Sequence, residues 1–168
     1  LLACVLIASC AEVNDAPAPE RQGLSTQRAA LTIGVPADYA TIQAAIDGAQ
    51  PGDTVFVAAG EYTELLVLTE GIHLLGAGKD LTILHGRIKT TNVNVGSIRH
   101  LQLQSTGSPT GIVGWDTGVV VTDCHIEGFS NGVDVTGASE SVVPRFERNL
   151  FKGNSAGLTV TGGSGVVA

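Results

Sequence analysis

Val121–Gly137, VTDCHIEGFSNGVDVTG, aligns without a gap on Phe146–Gly162, FERNLFKGNSAGLTVTG, at an offset of 25 residues. Gly128 meets Gly153, Ser130 meets Ser155, Gly132 meets Gly157, and Val135-Thr136-Gly137 meets Val160-Thr161-Gly162. A weaker copy, IRHLQLQ from Ile98, lies 23 residues ahead of VTDCHIE. Self-similarity at a period of roughly 20 to 50 residues is the mark of a solenoid. A repeat of this length, holding several short strands and no helix, fits one coil of a parallel β-helix.

Set at these offsets, Leu103, Ile126 and Phe151 share one column and Leu101, Cys124 and Asn149 another. His100, Asp123 and Arg148 form an intervening column, as do Gln104, Glu127 and Lys152. With a strand period of two, the first pair of columns faces inward and the second outward. Parallel neighbours about 4.8 Å apart then bring Asp123 beside Arg148 and Glu127 beside Lys152, opposite charges in both rows.

Upstream, TVFVA, LLVL, IHLLGAG and LTILHG are short Val/Leu/Ile-rich strands divided by Gly, Glu-Gly and Lys-Asp turn signals. Ahead of them Ile42, Ala45, Ile46 and Ala49 fall at i, i+3, i+4 and i+7, with Thr41 as N-cap and Pro51-Gly52 as the stop. Two turns of helix do not stand alone in water, where about 12 to 15 residues are marginal. The stripe therefore needs a large apolar surface, and the open first end of a strand stack supplies one.

VPADYATIQAAIDGAQPGDTVFVAAGEYTELLVL, followed by GIHLLGAGKDLTILHG, resembles the N-terminal cap and first coil of right-handed parallel β-helix proteins of the pectin lyase-like group. That group includes pectinesterases and many bacterial surface proteins. The resemblance is close over residues 33–86; later repeats agree with it in pattern. It implies an all-β solenoid, a right-handed parallel β-helix with a short N-terminal capping α-helix, the helix plugging an end that would otherwise expose apolar surface and unpaired strand edges.

Composition agrees: 43% hydrophobic but only 4% aromatic residues, with 22 glycines, suit narrow coils filled by aliphatic side chains. The 168 residues leave room for one domain of about five or six coils over 31–168. VTGGSGVVA at the C-terminus is still in repeat register, and position 1 is not Met, so the chain is read as a piece of a longer one, with further coils expected. LLACVLIASC, residues 1–10, is an apolar run ending in small residues and Cys. Its IASC resembles a bacterial lipobox, which implies signal cleavage, a diacylglyceryl group on Cys10, and a lipid anchor to a membrane or cell surface. LLAC at Cys4 is the rival lipobox, with bulky Leu2 where a small residue is usual. The run is too short to span a bilayer. Residues 11–30, rich in Ala and Pro with mixed charge and no apolar periodicity, read as a flexible tether.

Once Cys4 is removed and Cys10 acylated, Cys124 stands alone in an inward column and reads as a small buried hydrophobe. Zinc, redox and nucleophile-elbow motifs are absent, and GAGKD, Gly76–Asp80, is a turn between strands rather than a phosphate loop. A net charge of −7 excludes a nucleic-acid partner, which needs a basic face. The bases are nonetheless clustered, with Arg145, Arg148 and Lys152 on one coil and Lys79, Arg87, Lys89 and Arg99 before it.

Related β-helix enzymes place paired Asp, Asp with Arg, or a Ca²⁺-binding Asp cluster on one outward face. Asp116, Asp123, Glu127 and Asp134 are the outward acids here, and His100, Asp123 and Arg148 make the one column of mixed acid and base. That column is the candidate catalytic site; a salt-linked exposed column is the competing reading. The Gln-Asp and second Asp motifs of pectinesterases are not visible, so no such residue is carried over. Trp115 with Asp116, in GIVGWDTG, is the candidate sugar platform, since an indole face attracts C–H groups; packing of a turn on the next coil is the alternative. His73, His85 and His125 share no spacing, so no metal site is expected from them, and neither Ca²⁺ nor another cofactor has a signature. The expected role is recognition or processing of polysaccharide at a bacterial surface by a polysaccharide lyase, glycoside hydrolase or carbohydrate esterase. The alternative is a non-catalytic structural or adhesive solenoid of the cell envelope.

Overall fold

The structure, a computed structural model, describes residues 28–137, 142–162 and 166–167. Strand β1 (Thr32–Val35) and helix α1 (Ile42–Gly48) come first. Then each coil begins with a short strand and continues into a longer, bent one. Coil one is β2 (Thr54–Val57) and β3 (Gly60–Leu68), and coil two is β4 (His73–Gly76) and β5 (Thr82–Thr91). From coil three the long strand is broken in two: β6 (Ser97–Arg99), β7 (Gln102–Gln104) and β8 (Thr110–Trp115). Coils four and five repeat this with β9 (Val120–Thr122), β10 (His125–Glu127), β11 (Asn131–Thr136), then β12 (Arg145–Glu147), β13 (Leu150–Lys152), β14 (Ala156–Thr161), and β15 (Val166–Val167) opens the next.

Every pairing is parallel, and the chain is a right-handed parallel β-helix. The opening strands stack as one seven-stranded sheet, called here the front sheet. The remaining strands form a second sheet that forks, because β5 pairs β7 through Ile83–His85 and β8 through Ile88–Thr91. Three aliphatic columns fill the interior. Val55, Leu74, Ile98, Val121 and Phe146 stack in register beneath the front sheet. Leu84, Leu103, Ile126 and Phe151 stack in one arm of the fork, and Leu66, Ile88, Ile112, Val133 and Leu158 in the other. Each wholly buried Leu or Ile contributes about 1.5–3 kcal/mol by leaving water.

The predicted cap is present. Thr41 accepts a hydrogen bond from Ala44 N, and Ile42, Ala45 and Ile46 are buried. The Glu64 carboxylate, on β3, accepts from Ile42 N and Gln43 N at 2.9 Å each, so the helix start is held by the first coil. Gln43 returns the tie: its Oε1 accepts from Val67 N at 2.8 Å and its Nε2 donates to Val67 O at 3.4 Å, filling the edge of β3 that no strand covers. Buried Asp53 gathers Arg28 Nη1, Leu31 N and Gln50 N, fixing β1 against the start of β2.

The column of His100, Asp123 and Arg148 departs from the strand period expected of it. All three lie at the corner between the front sheet and the fork, in the left-handed region at φ 54°, 53° and 52°. Asn92 and Asp116 form a second such corner, continued by Gly137 and Gly162, and Gly128 and Gly153 occupy a third. An L-residue in this region costs about 1–2 kcal/mol, a cost that glycine avoids at Gly128, Gly137, Gly153 and Gly162. Asn149, placed inward by the repeat, is half-buried: its Oδ1 accepts from Cys124 N at 3.0 Å and its Nδ2 donates to Val121 O at 2.8 Å. Asn154 brackets Phe129 N and Ile126 O in the same way one corner later.

Candidate functional site

Strand β6 reads Ser97-Ile98-Arg99, and alternation sends Ile98 into the core while Ser97 and Arg99 face outward. Register does the rest. His73 pairs with Ser97, Arg99 lies between Leu75 and Thr122, and Ser97 is followed by Val120. His73, Ser97, Arg99 and Thr122 thereby form a polar floor on the outer side of the front sheet. A pocket of about 460 Å³ stands over it, walled by Asn94, Val95, Gly96 and Gly118 on one side and by Arg148 on the other. The Asn94–Gly96 wall is pinned from the preceding coil by Glu70, whose carboxylate accepts from Asn94 N at 2.6 Å and Val95 N at 3.2 Å.

His73 Nδ1 lies 3.0 Å from Ser97 Oγ, the donor being set by the imidazole tautomer. Burial, and then the nearby Arg99 guanidinium, push the His73 pKa below its ordinary value, so the ring is neutral at pH 7. Arg99 Nε is buried and has no hydrogen-bond partner. The ion pairs among the described residues use Arg28, Arg145, Arg148, His85 and His125, and none uses Arg99. A buried donor without an acceptor costs about 1–3 kcal/mol. The pocket thus offers a neutral imidazole, two hydroxyls and an open guanidinium fork, a donor-rich surface suited to oxygen-bearing ligands.

Of the candidate catalytic and sugar-binding residues read from the sequence, Arg148 lines this pocket, and His100, Asp123, Trp115 and Asp116 do not. Arg148 grips Asp123 side-on, Nε to Oδ1 at 2.9 Å and Nη2 to Oδ2 at 2.8 Å. The Arg148 hydrogen bonds and charge hold the Asp123 carboxyl below the usual carboxylate range. His100 is exposed on the coil before and completes the stack. Glu127 does lie opposite Lys152, but its carboxylate is occupied by Gln102 Nε2 and Gln104 Nε2, at 2.8 and 3.1 Å, with His125 Nε2 3.3 Å away. No ion pair with Lys152 forms among the described residues, because the glutamines reach the acid first. Asp134 accepts from Asn131 Nδ2 at 3.4 Å.

Trp115 ends β8 and is 58% exposed, stacked in register between Thr91 and Thr136. Its indole leans along the corner towards Gly137, where an added Cβ would come within 3.2 Å of the ring. Asp116 turns the corner, with a buried Oδ1 that has no partner. Trp115 therefore stands just around the bend from Gly118 in the pocket wall. Cys124 is buried, and burial pushes its thiol up to about 12, which removes it as a nucleophile at neutral pH. Among the described residues no group of three or more His, Cys, Asp and Glu side chains could hold a metal ion. Cys10, Cys4, residues 1–10 and most of the 11–30 tether lie outside the described residues.

Compared with known proteins, the chain matches no family model, no curated protein and no solved structure.

In the sequence His73 is an isolated histidine and Arg99 one of several scattered cations, and Ser97 and Thr122 carry no signal of their own. The signal that joins them is the 24-residue offset of His73 and Ser97, one coil of the solenoid.

Proposed function

We propose that this chain is a β-helix lipoprotein of the pectin lyase-like type, anchored through Cys10 at a bacterial surface, whose front-sheet pocket recognises polysaccharide. The observation that carries the reading is the pocket of about 460 Å³ with His73, Ser97, Arg99 and Thr122 as its floor. Its volume is that of a small-ligand site. A flat sheet of stacked coils also gives an extended polymer a continuous track on either side of it. Trp115, exposed beside the wall, adds an aromatic face on which a further sugar ring can stack.

Affinity electrophoresis through gels holding neutral or acidic polysaccharides tests this. The chain is expected to be retarded by at least one polymer, and less so as Trp115→Ala. Free migration through every gel removes the glycan reading. Labelling with palmitate tests the anchor, with label expected in the full precursor and absent from Cys10→Ala.

A non-catalytic structural or adhesive solenoid is the second reading, and the Asp123–Arg148 pair favours it. Asp123 is neutralised and Glu127 and Asp134 are hydrogen-bonded instead of being paired carboxyl to carboxyl, as glycoside hydrolysis requires.

A further inference from the structure

We infer that the front-sheet pocket binds a single tetrahedral oxyanion, a sulfate or phosphate group. This rests on the pocket of the glycan reading and adds the kind of group that sits in it. The first ground is charge. In a chain with 16 acidic and 9 basic residues, two arginines and, among the described residues, no carboxylate line this pocket. Arg148 is largely spent on Asp123, and its remaining Nη1 has only a long contact of 3.4 Å with Glu147. Arg99 is not spent at all among the described residues.

The second ground is the open fork. Arg148 binds Asp123 through Nε and Nη2, the side-on grip that arginine gives two oxygens of one anion. Arg99 lines the cavity, and its Nε is buried with no hydrogen-bond partner among the described residues. An arriving anion supplies the acceptor that the protein lacks.

The third is the distribution of the other donors. Ser97, two residues before Arg99 on the same face, and Thr122, its register partner on the next coil, stand to either side of the guanidinium. With hydrogen on Nδ1, His73 donates to Ser97 Oγ and leaves the Ser97 hydroxyl hydrogen free to point at a ligand. Donors approaching from the floor, from the next coil and from the Arg148 wall surround a tetrahedral group better than the single plane of a carboxylate.

The purified chain is titrated with sodium sulfate and with inorganic phosphate by calorimetry and by amide chemical shifts, with sodium acetate as the flat anion and glucose 6-phosphate as the ester. Sulfate and phosphate are expected to bind more tightly than acetate and to shift the amides of Ser97–Arg99 and Val120–Thr122. Arg99→Gln should weaken sulfate by about tenfold or more, the worth of a charge-assisted contact. Ser97→Ala should weaken it severalfold, and Arg87→Gln, on the outer face of β5 beside Leu65, should leave it unchanged. If Arg99→Gln does not fold, Ser97→Ala and the wild-type shifts decide. Equal sulfate affinity in wild type and Ser97→Ala or Arg99→Gln, shifts confined to other coils, or tighter binding of acetate overturns the proposal. Glucose 6-phosphate binding as well as phosphate identifies an esterified group as the ligand; its exclusion identifies the free ion. Sulfate held at Arg99 with no polysaccharide retarding the chain retires the glycan reading alone, whereas retardation together with sulfate affinity equal in wild type and Arg99→Gln retires the anion site alone.

Discussion

Arg99 and Arg148 border the same pocket, yet the two arginines are used in opposite ways. Arg148 sits at a left-handed corner, exposed, with both arms of its fork closed on Asp123. Arg99 sits on a strand, partly buried, with its Nε closed on nothing. One charge is consumed by the fold; the other is left over. An unsatisfied buried donor works against stability, so its position beside a cavity points to a ligand rather than to structure. The visible corner column, which sequence alone ranks first, is the structurally satisfied one.

The sharpest break in that comparison lies one residue before Arg99, on the inner side of the same strand. Ile98 is fully buried, and Ile98→Ala is expected to cost about 2–5 kcal/mol, read as a lowered midpoint in urea, and to take the pocket with it. Arg99→Leu should do the reverse to stability: by removing an unpaired donor it raises the melting temperature, by the equivalent of about 1 kcal/mol, while sulfate binding disappears. A fall in melting temperature on that change would show that Arg99 is structural after all.

His100 occupies the same left-handed corner as Arg148 but is exposed, and its side chain makes no hydrogen bond or ion pair with the described residues. His100→Gly should therefore stabilise, by about 1 kcal/mol or less, and His100→Val should destabilise, both by thermal melting. The smallest effect is expected of Arg148→Ala, a loss of one exposed pair that shows near neutral pH and fades in acid. The folded Asp123 carboxyl is held below its unfolded value, so its contribution is present above the ordinary carboxylate range and is lost as pH falls through the folded value. Wild type should lose stability on acidification below about pH 4. Arg148→Ala should lose less, with Asp53, held down by the Leu31 and Gln50 amides and by Arg28, titrating in the same direction in both proteins.

Much of the fold was legible because its register is written in like residues. Ile126 over Leu103 and under Phe151 is the alignment that the repeat proposes and the sheet adopts. Helix α1 was legible from one stripe and the Thr41 cap. The corners were not, since His100, Asp123 and Arg148 alternate correctly with their neighbours whether the backbone is extended or left-handed; only dihedral angles separate the two. The forked second sheet was hidden too, since only LTILHG reads as a strand, and nothing in the residues that follow shows that β5 runs on to a second partner. The pocket was hidden because its members sit in coils two to four, where the repeat is weakest. His73, Ser97, Arg99 and Thr122 are chemically unlike, and nothing in their types announces that they share a face until the register places them there.

The tie between Gln43 and the edge of β3 gives the molecule a direction. With Val67 N and O both engaged by one side chain, and Glu64 engaged by the helix in return, no strand from another chain can add there. The first coil is a finished template as soon as it exists, and each later coil needs only the one before it, about 24 residues back, to find its register. Winding can therefore keep pace with a chain emerging from its N-terminus, each turn laid on a surface already made.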